Sequence, residues 1–325
     1  MNGRDLILGA AIGYKSSHVR VFAQSLARSG YQGRTLLITG DLPEEEVRQM
    51  KAWGLETLPV SRFPGAFSRG VALKLMSPRA TPFRGWYPGI RFLPCTSRFK
   101  NRLISRIGVH YHHTMCNRYM LYWDYLDQQP EVERVMLTDV RDVYFQSDLF
   151  GERWGEGVNV SLEDGRGSIG AGEFGITDTK YDHVTARGRP MRGVNASWIR
   201  RLYGDDVLEA VADNPISCAG VTFGNRGPLM AYLQAMIREI AKLTVRIAGG
   251  QGYDQGIHNV VLRTGRVQAA TVHENGVGPV YTVHSVPDAE IPLDSRNQVL
   301  RGDGRPVAVV HQYDRSPLLN GLFSG

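Results

Sequence analysis

The first sixty residues alternate between apolar runs and amphipathic stretches. Leu6 to Ile12 is an unbroken run of apolar and small residues, the pattern of a strand buried on both faces. Gly13-Tyr-Lys-Ser-Ser17 interrupts it. From His18 to Arg28 the apolar positions Val19, Phe22, Ala23 and Leu26 recur at helical spacing, with Gly30 as the stop. Thr35 to Thr39 predicts a second strand, Glu44 to Ala52 a second helix and Glu56 to Val60 a third strand. Such a β-α-β-α-β opening predicts a parallel sheet with right-handed crossovers.

Residues 61 to about 108 carry much Gly, Pro and Arg and little periodicity, which predicts an irregular basic excursion from the sheet. A helix is expected from Tyr111 to Tyr125, where Met115, Tyr119, Tyr122 and Trp123 share one face as core packing. A short apolar strand then runs into Asp139-Val-Arg-Asp142. Beyond Phe150 the texture becomes glycine-rich around a strand, Val158 to Leu162, and an acidic turn, Glu163-Asp164. Short helices are predicted at Trp198 to Tyr203 and Val207 to Ala212, and a buried strand at Ser217 to Phe223. A long helix from Pro228 to Leu243 and another opened by Gly252 to Asn259 come next. Arg266 to Ala270, Val280 to Val283 and Val307 to Val310 are the last expected strands. There is no internal repeat, coiled-coil heptad or long linker. One unit with two halves, 1–150 and 151–325, is the division the pattern supports.

Composition narrows the class. Of 325 residues, 42% are hydrophobic and 22% charged, as in ordinary globular proteins. No run reaches the roughly 18 apolar residues of a membrane span, and the amino terminus enters a strand pattern without a signal-peptide layout, so a cytoplasmic location is expected. Cys95, Cys116 and Cys218 lack metal or disulfide spacing and read as core fillers. Charge is uneven. Between Glu56 and Asp124 there is no acid but there are eleven Lys or Arg residues, whereas the net charge of the whole chain is +6. A block of that kind suits an anionic partner: a phosphorylated, nucleic-acid or lipid-linked molecule, or a membrane surface that the protein would meet peripherally. A solvated basic face is the plainer reading.

The loop after the first strand has one glycine and not the G-x-G-x-x-G of a dinucleotide site, and the chain has no Walker A pattern. Hydride transfer on NAD and P-loop phosphoryl transfer are therefore disfavoured. Carboxylates at the carboxyl end of a buried strand lie where open α/β sheets place ligands, and a pair of them suits a divalent cation and hence a diphosphate. Three clusters lie at predicted element ends: Asp139 with Asp142, Asp254 with Gln255, and His311.

In this order the clusters resemble the GT-A class of nucleotide-sugar glycosyltransferases. There a strand ends in a D-x-D motif, an A-G-V strand follows (here Cys218-Ala-Gly-Val-Thr-Phe-Gly224), then a helix opening D-Q, and later a His. The resemblance covers most of the chain and implies a Rossmann-like GT-A α/β fold, mostly parallel, with helices on both faces and a smaller acceptor-side half. It implies transfer of a sugar from a nucleotide diphosphate sugar, with Mn²⁺ or Mg²⁺ on Asp139, Asp142 and His311. Ile12, Gly13, Tyr14, Lys15, Arg118, Asp139, Val140, Arg141, Ala219, Gly220 and Arg315 would then meet the donor, with Ala219 and Gly220 giving the sugar close backbone access. Asp254 and Gln255 would meet the acceptor, and Asp254, Glu163 and Asp164 compete as catalytic carboxylates; as a plain alternative Asp254 is an N-cap.

One departure stands out: Arg141 occupies the third position of D-x-D, and Asp142 follows it. On a regular strand 139 and 142 point apart, so both reach one metal only if the backbone turns between them. Otherwise Asp142 pairs with Arg141, or Arg141 itself neutralises the diphosphate. His112, His113, His258 and His284 are given no metal role. Two rival classes remain. A sugar nucleotidyltransferase would carry a Gly-rich basic signature after the first strand, which Gly13 to Ser17 matches poorly. A non-catalytic nucleic-acid or membrane binder built on residues 57–123 leaves the strand-end acids unexplained.

Overall fold

The structure, a computed structural model, describes residues 4–60, 94, 96–109, 112–243 and 252–324. Seven strands form the main sheet: β1 (Asp5–Ala11), β2 (Arg34–Thr39), β3 (Glu56–Pro59), β4 (Arg134–Thr138), β6 (Val158–Leu162), β9 (Ser217–Asn225) and β10 (Ala270–His273). Their order across the sheet is β10-β6-β9-β4-β1-β2-β3. The pairs β1 with β2, β1 with β4, β2 with β3 and β10 with β6 are parallel. Only part of the parallel expectation holds, because β9 runs antiparallel to both β4 and β6 and makes the sheet mixed.

Alternate side chains feed two cores. Leu6, Leu8, Leu36, Ile38, Val135 and Leu137 point to one face, where helices α4 (Thr114–Asp127), α7 (Arg226–Ile240) and α8 (Tyr253–Arg263) cover them through Tyr119, Tyr122, Trp123, Leu233 and Ile257. Ile7, Leu37, Met136 and Phe223 point the other way, onto α1 (Ser16–Arg28), α2 (Glu44–Ala52) and the strand β5 (Val143–Phe145). The aromatic positions expected as core, Tyr119, Tyr122 and Trp123, are all buried. Strand β5 belongs to a second sheet with β11 (Val280–Thr282) and β12 (Val309–His311), in the order β11-β12-β5. A small hairpin, β7 (His183–Val184) with β8 (Pro190–Met191), and helices α5 (Gly193–Tyr203), α6 (Asp205–Val211) and α9 (Pro317–Phe323) complete the second half.

Two expectations need correction. The stretch to about residue 108 is not irregular at its end: α3 (Ser97–Gly108) is a helix, begun by Thr96, whose hydroxyl accepts from the Phe99 amide at 3.3 Å. Its basic residues masked the apolar period of Leu103, Ile104 and Ile107. Its three arginines are also not free. Arg98 and Arg102 both bond Asp127, at 2.7 and 2.5 Å, and Arg106 lies 3.7 Å from Asp124. Three arginines of the acid-free stretch are thus matched by acids of α4, and the basic positions from Arg62 to Arg91 lie outside the described residues, as does Cys95. The strand expected at Arg266 to Ala270 lies later, at Ala270–His273, where the backbone pairs in parallel with Val158 to Ser161 of β6.

Candidate functional site

The carboxyl ends of β1, β4 and β12 meet the first residues of β9. There a cavity of about 370 Å³ is lined by Ile12, Tyr14, Arg118, Asp139, Val140, Arg141, Asp142 and Arg315, each expected from sequence. Gly13 and Lys15 belong to the same turn but do not line it. Gly13 supplies the left-handed backbone (φ +86°), and the Lys15 amide donates to His18 Nδ1 at 3.1 Å. Tyr14 stacks on His18 with ring centroids 5.6 Å apart. His113, Met115 and Gln312 also line the cavity and were not expected there.

The backbone makes the turn that two converging acids require. Strand β4 ends at Thr138 in the main sheet, and β5 begins at Val143 in the small one. The Asp139 amide donates to the Gly220 carbonyl at 2.7 Å, and the Asp142 carbonyl accepts from the Gln312 amide at 2.7 Å. Gln312 holds a left-handed conformation (φ +59°), a strained state for a non-glycine residue that turns the chain back immediately after His311. The outcome is that Asp139, Asp142 and His311 each offer a ligand atom within 4.8 Å of the others.

The electrostatics of this triad are unfinished. Burial pushes the Asp139 carboxyl up, but Arg118 and His311 outweigh it and hold it down to about 2. Asp142 is raised, by burial and by the charges of Asp139 and Asp314. Burial opposes a charge on His311, yet Cys218 first, then Asp139 and Asp142, keep its pKa well above the usual value. His311 Nε2 is buried without a hydrogen-bond partner, 3.6 Å from Asp139 Oδ2. If a cation displaced the proton from His311, two carboxylates and the imidazole nitrogen would form a donor set of oxygen and nitrogen, which suits Mn²⁺ better than Mg²⁺.

Gly220 makes this geometry possible. A Cβ there would overlap the His311 ring and lie 2.7 Å from Asp139 Oδ2. The space left by the absent side chain is therefore taken by the His311 ring and the Asp139 carboxylate. Ala219 contributes its carbonyl, 3.4 Å from Arg118 Nη2.

Arg118 is buried and bridges two acids, Asp139 and Asp254, the latter at 2.8 Å. Asp254 sits inside the first turn of α8 and the N-cap position falls to Gly252, so the N-cap alternative does not hold. Nor does its carboxylate line the cavity; it balances Arg118 from behind. Arg141 pairs with Asp314 at 3.2 Å and not with Asp142. The two candidate carboxylates after β6 separate. Asp164 is held by Arg166 at 2.5 Å, which lowers its pKa, and is spent in that local pair. Glu163 is fully buried, and burial together with Glu173 pushes it up to about 8. Its Oε1 accepts from Gln255 Nε2 at 3.0 Å. Cys218 joins this group to the triad, its Sγ 3.6 Å from His311 Nδ1 and 3.7 Å from Gln255 Oε1. Glu173, Asn195 and Cys218 were not foreseen as parts of one network. Of the histidines set aside, His258 lies between Ser217 and Tyr232, at 2.9 and 2.7 Å, and burial depresses it to about 3.

Comparison of the chain with protein-family models and with curated proteins finds no match to either. Among the described residues no helix is long and apolar enough to cross a membrane.

Proposed function

We propose that the protein is a glycosyltransferase of the GT-A type, moving a sugar from a nucleotide diphosphate sugar to an acceptor. The observation that carries this reading is the convergence of Asp139, Asp142 and His311, 169 or more positions apart between acids and imidazole, with the two acids lining a cavity that also holds arginines and the imidazole buried beside them. Asp139, Asp142 and His311 would hold the divalent cation, which when bound supplies positive charge for the departing diphosphate. Arg141 and Arg315 flank the cavity and add fixed cations on the solvent side, where phosphate oxygens would enter. Tyr14 presents a ring for a nucleobase, with His18 already behind it. Arg118 holds the Asp139 carboxylate from beneath and keeps it ionised. The partial parallel sheet and the D-x-R-D, A-G-V and D-Q order support the same class.

The test is thermal unfolding with UDP, GDP, ADP, CDP and dTDP, each with and without Mn²⁺. One nucleoside diphosphate is expected to stabilise the protein in a metal-dependent way, by about 2.7 kcal/mol at a hundredfold excess over its Kd. Asp139→Ala and Asp142→Ala should each remove the metal-dependent part. Absence of stabilisation by every nucleotide, with metal and without, would end this reading.

A further inference from the structure

Behind the triad lies a chain of four polar side chains whose hydrogen-bond polarity is set from one end. Glu173 is buried at the end of the glycine-rich loop, and its Oε1 accepts from Asn195 Nδ2 at 2.7 Å. A carboxylate only accepts, so this contact fixes the Asn195 amide with its Oδ1 pointing away. Asn195 Oδ1 then accepts from Gln255 Nε2 at 3.3 Å, and Glu163 Oε1 accepts from the same nitrogen at 3.0 Å. Both hydrogens of the Gln255 amide are thereby committed. Its Oε1 faces the other way and accepts only a long contact from the Cys218 thiol, at 3.7 Å. Asn195 is fully buried, whereas Gln255 keeps partial exposure. Glu173 is itself confined: a Cβ on Gly193 would lie 2.8 Å from its Oε2.

We propose that Glu173 and Asn195 are positioning residues that lock the Gln255 amide with its carbonyl oxygen as an acceptor turned toward Cys218, where the weak thiol donor can give way to a substrate group that is a stronger hydrogen-bond donor, a sugar hydroxyl. This rests on the transferase reading for the identity of the ligand, but the lock itself does not. Glu163 fits the same picture: its Oε1 accepts from Gln255, and burial together with Glu173 raises its pKa to about 8.

The decisive variants are Glu173→Gln, which can present either an oxygen or an NH₂ to Asn195, and Glu173→Asp, which remains acceptor-only. In the full chain, side-chain amide NMR should show one slowly exchanging Gln255 NH₂ pair in the parent protein and in Glu173→Asp. Glu173→Gln should show two sets, or one that exchanges at least tenfold faster. Calorimetric titration with UDP, GDP, UDP-glucose, UDP-galactose and GDP-mannose in Mn²⁺ reads the substrate side. Glu173→Gln should weaken the sugar conjugate by roughly tenfold, one net hydrogen bond, raise KM for donor hydrolysis correspondingly, and leave the free diphosphate unchanged. An unaltered Gln255 amide in Glu173→Gln would overturn the lock. An altered amide with unchanged sugar affinity, or equal loss for diphosphate and conjugate, would overturn the hydroxyl-reading role. If the parent protein bound no nucleoside diphosphate, the transferase reading would fail, while the amide signals would still decide the lock.

Discussion

Strand β4 has an arginine–carboxylate pair at each end, and the two are built differently. At the amino end Arg134 stands directly opposite Asp5 in the register of β4 and β1. Its Nε and Nη2 reach both carboxylate oxygens, at 2.7 and 2.6 Å, and its Nη1 donates to the Phe150 carbonyl at 2.8 Å. Every strong donor has an acceptor, and the pair is closed. At the carboxyl end Arg118 is split between Asp139 and Asp254, Asp142 faces Asp139 as a like charge, and His311 Nε2 has no partner. Buried polar groups are normally satisfied, and those that are not point to a strain reservoir or a missing ligand. The closed pair fastens two strands. The open one leaves two acids crowded together and an imidazole nitrogen without a hydrogen bond, the arrangement on which the proposed cation site rests.

Replacing each arginine by methionine separates the two cases. Arg118→Met leaves two carboxylates, one of them deeply buried, without their shared cation, and should cost about 3–5 kcal/mol of stability. Arg134→Met strands Asp5 nearer to water, with the arginine side chain 31% exposed, and should cost about 1–2 kcal/mol. Urea unfolding measures both. Added Mn²⁺ should restore part of the loss in Arg118→Met and none in Arg134→Met; equal costs and no metal rescue would erase the distinction.

A carboxyl that answers to no arginine in its own hydrogen bonds extends the comparison. Glu163 is raised to about 8, first by burial and then by Glu173. Between its ordinary pKa and about 8 the folded state keeps a proton that the unfolded chain has released. Its contribution to stability is therefore fully present below the ordinary carboxylate range and is lost as pH rises toward 8. Glu163→Gln removes this titration and keeps the shape. Its stability relative to the parent should rise by a few kcal/mol between pH 5 and pH 8, read as the difference in urea midpoints at each pH. A flat difference would mean that Glu163 is ionised throughout and belongs with the open acids.

The open end was the more legible of the two from sequence, for a physical reason. Its residues are unusual types at element ends, and an apolar strand running into Asp139 and Asp142 advertises itself. The elements of the first sixty residues were legible because their burial follows strict periods. What could not be read was polarity and pairing across long distances. Nothing in the pattern from Ser217 to Phe223 reveals that β9 runs backwards, since a strand buried on both faces looks the same in either direction. The empty side of Gly220 is filled by a histidine 91 positions later, which only the fold brings near. The Glu173–Asn195–Gln255 chain was equally hidden, because an amide's orientation depends on neighbours that sequence spacing does not order. The helix Ser97–Gly108 is hard to read because arginines that reach Asp124 and Asp127 interrupt its apolar period, and the preceding stretch is rich in Gly and Pro.

The smallest expected effect is also the sharpest contrast, because it exchanges one atom at each end of β4. Asp5→Asn keeps a hydrogen-bond acceptor for Arg134 but loses the ion pair, and should cost roughly 1 kcal/mol. The metal-dependent response to nucleoside diphosphate should be untouched, since Asp5 lies at the far end of the strand. Asp139→Asn should do the reverse. Arg118 still has Asp254, one of two crowded negative charges disappears, and stability should change by less than about 1 kcal/mol. The response to Mn²⁺ should vanish with the carboxylate. Measured side by side by thermal unfolding with and without metal, the two variants should cross: one loses stability and keeps the response, the other keeps stability and loses it. If Asp139→Asn were the more destabilising of the two and retained its metal response, the carboxyl end of β4 would be a clasp like the amino end, and the orphaned imidazole of His311 would need a different explanation.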